Sequence, residues 1–327
     1  MSLETDKIVD RRRLRRKLSF WRVVAMLVAI VAVVGGAVVL TSGGGALTAT
    51  AGGSIARIQI QGLIRSNQSR VEALERLAKS NVQAVIVHVN SPGGTVSGSE
   101  QLHLSLLGLK AKKPVVVVVD GLAASGGYMA AIAADHIVAQ HSALIGSIGV
   151  IFQFPNVGEL LKTLGIKVEE VKSSPLKAAP NGFEPTSPEA RAAIESLVKD
   201  SYAWFRDMVR DRRHLDGADL DRVSDGRVFT GRQAIGLKLI DALGDEKTAI
   251  DWLAKTKDID PNTPVRDYRL DSRLSDLPFL HVAVAGALDA IGLGSFARRL
   301  EEWGSIQAIE RLNLDGLLAL WHPQPSN

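Results

Sequence analysis

The sequence predicts an α/β fold in which a parallel β-sheet is covered by helices. From Ser54 onward, segments with the two-residue periodicity of strands alternate with segments that have the periodicity of helices. One of them, Val115–Val119, consists of consecutive valines and is typical of a strand buried on both faces. Turns rich in glycine and serine directly follow two of the strands. Because the functional loops of such a sheet lie at the carboxyl ends of its strands, these two turns are expected to lie side by side.

The first 54 residues divide into a basic tail, an apolar segment and a linker. Residues 1–22 are dense in arginine and lysine, whereas Val23–Leu40 carries only apolar side chains and glycine and is long enough to span a bilayer. Because the basic residues lie on the amino side, the amino terminus is expected in the cytoplasm and the rest of the chain outside. Residues 41–54, rich in Gly, Ser, Thr and Ala, predict a flexible tether. A cleaved signal peptide, with Ala49–Ala51 as its site, and a buried core helix are the alternatives.

The following residues predict two strand and helix pairs. Ile55–Gln61 alternates as a half-buried strand does, and Val71–Lys79 has the pattern of a short amphipathic helix. Ala84–Val89 is the next strand. The sequence Asn90–Gly94, NSPGG, predicts a turn whose two glycines let another chain approach the backbone. A helix is expected from about Val96 to Leu109.

The segment Gly121–Ala131, GLAASGGYMAA, follows the valine strand and Asp120. Ser125 is expected where the strand turns into a helix, between small residues that leave room for a substrate backbone. The first N–H groups of that helix would point toward the same place. This arrangement suits a nucleophile beside an oxyanion hole. The alternative is a serine that only caps the helix, with glycines for close packing.

The middle of the chain contains an apolar stretch, Ala143–Phe154, followed by a predicted helix at Val157–Leu164 and a short strand at Lys167–Val171. Next comes Lys177, which apolar residues and prolines frame. Ser187 and Pro188 are typical of a helix start, and this helix is expected to reach about Asp211. The later motif RVFTGRQAIGLKLIDALG is expected to support the fold, with Thr230 capping a helix.

Composition excludes several classes of function. The 327 residues include no cysteine, which excludes thiol catalysis, disulfides and thiolate metal sites. Met1–Val23 holds eight of the 39 basic and three of the 35 acidic residues, which leaves 31 against 32 in the remainder. This balance does not indicate a nucleic-acid surface. No histidine pair has metal-ligand spacing, so a zinc site is not expected. No other cofactor is predicted.

A serine nucleophile requires a base. The histidines nearest to Ser125 in sequence are His88, expected to be packed or partnered in the core, His103, mid-helix, and His136 and His141, which flank a short strand.

Lysine is the remaining candidate, because a buried ε-amine can lose its charge and accept the serine proton. Lys177 would be that base, and Ser147 could hold its amine by a hydrogen bond. A rival reading pairs Lys177 with Ser174 in an S-x-x-K motif, but Pro175 and Pro180 disfavour the helix that this motif needs.

Together, NSPGG, GLAASGGYMAA, GSIGV, KSSPLK and RVFTGRQAIGLKLIDALG resemble the signal peptide peptidase A family in its short, single-repeat form. The resemblance covers about Ile55 to Asp251. It implies a Clp protease/crotonase-like repeated ββα fold with an N-terminal transmembrane helix. It also implies a Ser-Lys peptidase domain over residues 55–260. NSPGG and the Ser-Gly-Gly segment alone would also fit the Clp proteolytic subunit, whose base histidine has no counterpart near Ser147.

Carried over to this sequence, the family implies Ser125 as nucleophile, Lys177 as general base and Ser147 as the residue that orients the lysine. The N–H groups of Gly93 and Gly126 would form the oxyanion hole. The implied substrates are signal-peptide remnants and other hydrophobic peptides. The implied assembly is a homo-oligomeric ring in which neighbours can complete each site.

The resemblance also implies a place for the protein. It would be a single-pass protein of the bacterial inner membrane, with its amino terminus in the cytoplasm and its catalytic domain in the periplasm. Residues 261–327 predict amphipathic segments that contact the membrane or another subunit. The alternatives are a crotonase-like acyl-CoA enzyme and a catalytically inactive membrane scaffold.

Overall fold

The computed structural model describes residues 21–22, 53–270 and 317–320. The chain divides into two compact units, residues 1–52 and residues 53–327, and only Trp21 and Arg22 are described in the first. The predicted anchor Val23–Leu40, most of the linker and most of the C-terminal region lie outside the described residues. Within the described residues, no helix combines the length and apolar character that crossing a membrane requires.

Strands in the described residues form a single ten-stranded mixed sheet. Its parallel part confirms the predicted parallel sheet, because neighbouring strands run in the same direction across β9, β1, β2, β3, β4 and β8. These strands are β1 (Ile55–Ile64), β2 (Ala84–Thr95), β3 (Val115–Ala124), β4 (His136–Ala139), β8 (Ala242–Leu243) and β9 (Val265–Asp267).

Four short strands extend the sheet near the end of β3. β5 (Leu144–Gly146) pairs in parallel with the last residues of β3, and β7 (Val228–Thr230) pairs antiparallel with β5. β10 (Leu317–Leu320) lies between β2 and β6 (Ile151–Phe152) and runs antiparallel to both. The sheet is therefore mixed here, where the sequence pattern predicts only parallel strands.

Helices connect the strands much as the sequence predicts. Their bounds are α1 (Gln68–Lys79), α2 (Val96–Lys110), α3 (Gly126–Ala131), α4 (Gly158–Thr163), α5 (Pro188–Arg213), α6 (Gly217–Val223), α7 (Gly231–Gly236) and α8 (Glu246–Lys257). The predicted caps of α5 and α7 are confirmed, because Ser187 accepts the N–H of Ala190 and Thr230 accepts that of Gln233.

The core lies on both faces of the central strands. Alternate residues of β1 to β4 pack against Ala249 and Leu253 of α8 on one face. The residues between them point to the other face, where they are equally buried and where α2 and α3 contact β2. Burial on both faces explains the nearly unbroken valine and isoleucine runs of β2 and β3.

Two sequence predictions of local structure are wrong. Asn90–Gly94 is not a turn, because β2 continues through it to Thr95 beside the extended end of β1. A Cβ at Gly94 would lie 1.8 Å from the carbonyl oxygen of Ile64, so only glycine permits this pairing. Lys167–Val171 is not a strand, since among the described strands none pairs with it.

Residues 153–187 form a mostly exposed segment that we call the arm. It contains α4 and Lys177. Its exposed apolar side chains include Leu160, Leu164, Ile166, Val168, Val171, Leu176 and Phe183.

Candidate active site

Ser125 lies at a sharp turn between β3 and α3. Its backbone has φ 53° and ψ −117°, a conformation that costs a non-glycine residue about 1–3 kcal/mol. Its N–H donates to the carbonyl of Gly146 over 2.7 Å, which holds the turn against β5. The side chain is almost fully buried, and its hydroxyl donates to the carbonyl of Gly149 at 3.4 Å. The predicted strand-to-helix position of Ser125 is therefore confirmed, and a strained, buried hydroxyl is suited to be a nucleophile.

The helix that follows Ser125 is held firmly at three points. The Tyr128 hydroxyl is buried and donates to the carbonyl of Leu239 at 2.8 Å, and burial raises its pKa. The Arg212 guanidinium donates to the carbonyls of Ile132, Ala133 and Ala134, which directly follow α3. These contacts fix the direction in which the first N–H groups of α3 point.

His103 provides the third point. Its Nδ1 lies 2.7 Å from the carbonyl oxygen of Met129 and joins α2 to α3. Burial lowers the pKa of His103, which favours the neutral ring that donates from Nδ1. His103 therefore has the packed role that its mid-helix position predicts.

The NSPGG segment and the Ser125 helix lie side by side, as the sequence predicts. A Cβ on Gly127 would lie 2.6 Å from the carbonyl oxygen of Ser91 and 3.3 Å from its Cβ. In addition, Ser91 pairs with Ala123 in the sheet. The two glycine-containing segments are thus in direct backbone contact beside Ser125.

The two predicted oxyanion donors differ in their surroundings. Gly126 is the first residue of α3, and the N–H groups of a first helical turn have no acceptor within the helix. Gly93 has φ 100°, and its N–H donates to the Ser91 hydroxyl at 3.1 Å. That hydroxyl in turn donates to the carbonyl of Gly62 at 2.7 Å. Gly93 therefore lies in the expected segment with its N–H directed at a side chain of the same chain.

Ser147 lies close to Ser125 in the fold. The preceding residue, Gly146, accepts the Ser125 N–H, and the N–H of Ser147 donates to the carbonyl of Arg227 at 2.8 Å. Ser147 is buried and has φ 49°. β7 braces this segment, with the Phe229 ring 3.2 Å from a Cβ built at Gly146. The RVFTG motif thus supports the fold next to the site, as predicted.

Lys177 does not share this buried environment. Its side chain is exposed on the arm, and within the described part of the chain its ammonium makes no hydrogen bond or ion pair. The expectation that neighbouring apolar residues of its own chain bury Lys177 is therefore wrong for a single copy. The prolines disfavour a helix in this segment. Lys177 instead lies in a turn, where its N–H donates to the carbonyl of Ser174.

The same turn disfavours the rival S-x-x-K motif. Ser174 and Lys177 are both exposed and are not part of a helix. A hydroxyl in open solvent lacks the burial that the Ser125 hydroxyl has.

An ionic network that the sequence patterns do not reveal lies at the amino end of α8. His88 has Nδ1 3.0 Å from Asp120 and Nε2 2.8 Å from Glu246. Arg57 donates to both Glu246 oxygens at 2.6 Å and to Asp267 at 2.8 Å. The prediction that His88 is partnered in the core is confirmed, but its partners come from residues distant in sequence.

Hydrogen bonds from Arg57 hold the pKa of Glu246 below its usual value, although burial opposes them. The hydrogen bonds to Glu246 in turn raise the pKa of Arg57. Asp120 ends the valine run of β3 five residues before Ser125, so the network anchors the strand that carries the serine. Within the described residues, no group of three His, Asp or Glu side chains is placed to hold a metal ion.

Comparison with known proteins identifies relatives of this chain. The family model for peptidase family S49 matches residues 108–260. The chain is 35% identical over 210 residues to "Putative protease slr0021" of Synechocystis sp., a match over 64% of this chain and 76% of that protein. It is 28% identical to "Serine protease SPPA, chloroplastic" of Arabidopsis thaliana, over 82% of this chain and 40% of that protein.

The extent of these matches varies. The matched segments span 24% to 65% of the other curated relatives compared. Among solved structures, a point mutant of ClpP1 from Listeria monocytogenes has a TM-score of 0.39 at 16% identity, over 58% of this chain and 91% of that one. That superposition is too loose to support an argument. The sequence relatives suffice: the chain belongs to peptidase family S49, the family of signal peptide peptidase A, and is a serine peptidase.

Proposed function

We propose that this chain is a membrane-anchored serine endopeptidase of the Clp protease/crotonase-like type that uses Ser125 as nucleophile and Lys177 as general base. Its substrates would be cleaved signal peptides and other hydrophobic peptides, with misfolded membrane proteins as a further class. The observation that carries the proposal is the buried Ser125 hydroxyl, held in a strained turn between β3 and the first N–H groups of α3.

The reaction would begin when the neutral amine of Lys177 takes the proton from Ser125 as its Oγ attacks the peptide carbonyl carbon. The oxyanion would accept hydrogen bonds from the N–H groups of Gly126 and Gly93. Lys177 would then give its proton to the leaving amine as the C–N bond breaks, and Ser147 would orient the lysine. Water would hydrolyse the resulting ester by the same steps.

Gly93 requires one rearrangement in this mechanism. Its N–H donates to the Ser91 hydroxyl at 3.1 Å, and a bound substrate oxygen would have to replace that acceptor. The Ser91 hydroxyl keeps a partner in the Gly62 carbonyl during this exchange. An oxyanion donor is worth about 3 kcal/mol of transition-state stabilisation, far more than a hydrogen bond between neutral groups.

We further propose that Lys177 acts on the Ser125 of a neighbouring copy in a homo-oligomeric ring. Two observations support this step. Lys177 is exposed in the single chain, whereas a neutral lysine base needs a dry environment. The arm that carries it also exposes a group of apolar side chains, which a neighbouring copy would cover. A single copy would then be inactive.

The proposed location and substrates rest on sequence features. The apolar segment Val23–Leu40 after a basic tail supports anchoring in the bacterial inner membrane, with the peptidase domain on the periplasmic side. The small residues Ala123, Ala124 and Gly126 around Ser125 support a pocket for apolar side chains.

The test uses hydrolysis of a hydrophobic signal-peptide sequence by the full chain in detergent. Ser125→Ala and Lys177→Ala should each reduce kcat/KM by about 10³-fold or more. Lys167→Ala, which changes another exposed lysine of the arm, should retain activity. Equal labelling of wild type and Ser125→Ala by a fluorophosphonate would exclude Ser125 as the nucleophile.

Mixing the two inactive variants tests whether the lysine comes from a neighbour. A ring assembled from equal amounts of Ser125→Ala and Lys177→Ala would contain intact serine and lysine together in about a quarter of its sites. Activity near that fraction supports the shared site. Mixtures that stay inactive after verified co-assembly show that each chain uses its own lysine.

A further inference from the structure

A charged cluster closes the part of the arm that carries Lys177. The Lys172 ammonium lies 2.5 Å from a carboxylate oxygen of Glu170 and 2.8 Å from one of Glu184. Lys172 and Glu184 are twelve residues apart in sequence, and Lys177 lies between them. We call residues 172–184 the lysine loop. Its two ends are therefore joined through one ammonium group.

Further hydrogen bonds hold the carboxyl end of the lysine loop. The Asn181 side-chain amide donates to Glu170 at 3.2 Å and to Glu184 at 2.9 Å. Its side-chain oxygen accepts the N–H of Phe183 at 2.9 Å and that of Glu184 at 3.1 Å. Asn156, which precedes α4, donates to the main-chain carbonyl of Glu184 at 2.9 Å. This end of the loop is fixed to the arm, and the ammonium group joins the other end to it.

The middle of the lysine loop has little other support. Within the described residues, the hydrogen bonds of residues 173–180 are local: the N–H of Lys177 donates to the carbonyl of Ser174, and that of Ala179 to the carbonyl of Leu176. In the same part of the chain, the loop borders a cavity of about 500 Å³ and not a packed core. A segment with so few contacts gains conformational entropy when its ends are released. Joining the ends therefore limits the positions that Lys177 can take.

The two lysines of the KSSPLK motif differ in their surroundings. The Lys172 side chain is 19% exposed, and its hydrogen bonds to Glu170 and Glu184 raise its pKa. An ammonium between two carboxylates stays charged at neutral pH and cannot accept the proton of Ser125. The Lys177 ammonium has no such partner among the described residues and is free to act as a base.

We infer that Lys172 is a positioning residue for the general base: its ion pairs close the lysine loop and hold Lys177 where it can reach the serine. This inference rests on the proposed function of Lys177. A general base works only within hydrogen-bond reach of the proton that it removes, so an open loop would lower the fraction of time that Lys177 is in place. Loss of the ion pairs should therefore lower kcat and leave KM nearly unchanged.

The test measures kcat and KM for hydrolysis of a hydrophobic signal-peptide sequence by the full chain in detergent. Lys172→Met removes the charge and should lower kcat about tenfold or more, with KM within about twofold of wild type. Lys172→Arg should retain most of kcat, because a guanidinium pairs with carboxylates but cannot act as a base. Lys162→Met is the matched control, since it changes an arm lysine that pairs with Glu159 outside the loop. This control should keep the wild-type kcat.

Two further measurements separate positioning from folding. Glu184→Ala opens the loop from its other end and should lower kcat in the same way, which decides the question if Lys172→Met does not assemble. Trypsin reports the loop without catalysis when each variant also carries Ser125→Ala. Cleavage after Lys177, followed by mass spectrometry, should be faster in Lys172→Met and Glu184→Ala and unchanged in Lys172→Arg, because proteolysis follows the population of the open form.

The outcomes distinguish this inference from the proposed function. An inactive Lys172→Arg whose loop resists trypsin as the wild type does would overturn the inference, because the amine itself would then be required. Wild-type kcat in Lys172→Met beside an inactive Lys177→Ala would overturn this inference alone. Activity in Lys177→Ala would instead contradict the proposed function, and the rates of tryptic cleavage would still show whether Lys172 closes the loop.

Discussion

At the scale of single residues, the fold places its strain at the serine. Ser125 is one of the few described residues other than glycine with a positive φ, and its ψ of −117° lies outside the left-handed helical region. The surrounding contacts maintain this conformation, since the Ser125 N–H is bonded to Gly146 and α3 is anchored by Tyr128 and Arg212. Contacts that hold a residue in a strained conformation also fix the direction of its side chain.

Replacing Ser125 by glycine should therefore stabilise the fold. Glycine adopts this backbone conformation without the steric cost, so Ser125→Gly should raise the free energy of unfolding by about 1 kcal/mol relative to Ser125→Ala. Both variants lack the hydroxyl, so the comparison isolates the backbone. Urea unfolding of the two variants measures the difference. Equal stability would show that the turn is unstrained in solution.

At the scale of elements, the site depends on the close approach of α3 to the end of β2. The contact is between backbones, with Gly127 of α3 against the Ser91 carbonyl of β2, and Gly94 of β2 approaches the Ile64 carbonyl of β1 equally closely. No side chain can be inserted at these positions without moving one element away from the other. The glycines thus set the distance between the serine and the strand edge where a substrate would bind.

Gly127→Ala tests this packing. The added Cβ would meet the Ser91 oxygen at 2.6 Å, so the variant should lose about 1–3 kcal/mol of stability and most of its peptidase activity. Gly108→Ala in α2 is the matched control, since a Cβ there has no heavy atom within 4 Å. That change should be neutral or stabilise the protein by up to about 1 kcal/mol. Thermal unfolding and peptide hydrolysis report the two effects, and equal behaviour of both variants would refute the packing argument.

At the scale of the whole molecule, the arm leaves a group of apolar side chains exposed in the single chain. The first part of α5 continues its exposed surface with Leu197, whereas Phe205 and Val209 further along the helix are buried. The single chain therefore covers only part of the apolar surface of α5.

Charges on the arm should prevent assembly. The double variant Leu160→Glu, Leu164→Glu replaces two exposed apolar side chains and should reduce the oligomeric mass and the peptidase activity together. Leu104→Glu changes an equally exposed leucine of α2 and should leave both unchanged. Sedimentation velocity in detergent gives the mass. An intact assembly with the charged arm would place the interface elsewhere.

Local sequence signals predict a large part of this fold. The start of α5 is encoded by Ser187 and Pro188, and the position of Ser125 by a valine run followed by small residues. The pairing of β10 with Gly93 is not predictable in this way, because it joins segments more than 200 residues apart. For the same reason, the sequence shows that His88 has a partner but does not identify Glu246. The exposure of Lys177 is likewise not predictable from its prolines and apolar sequence neighbours, because burial depends on contacts with residues distant in sequence.

The long helix α5 has a mechanical consequence. Its 26 residues make a rod about 39 Å long. The rod starts just after the arm, and in its last turn Arg212 donates to the carbonyls of Ile132 and Ala134, which directly follow α3. Because a helix of this length is stiff, a displacement of its first turn is transmitted to its last turn. Docking of a second molecule on the arm would therefore bear on the helix that aims the serine.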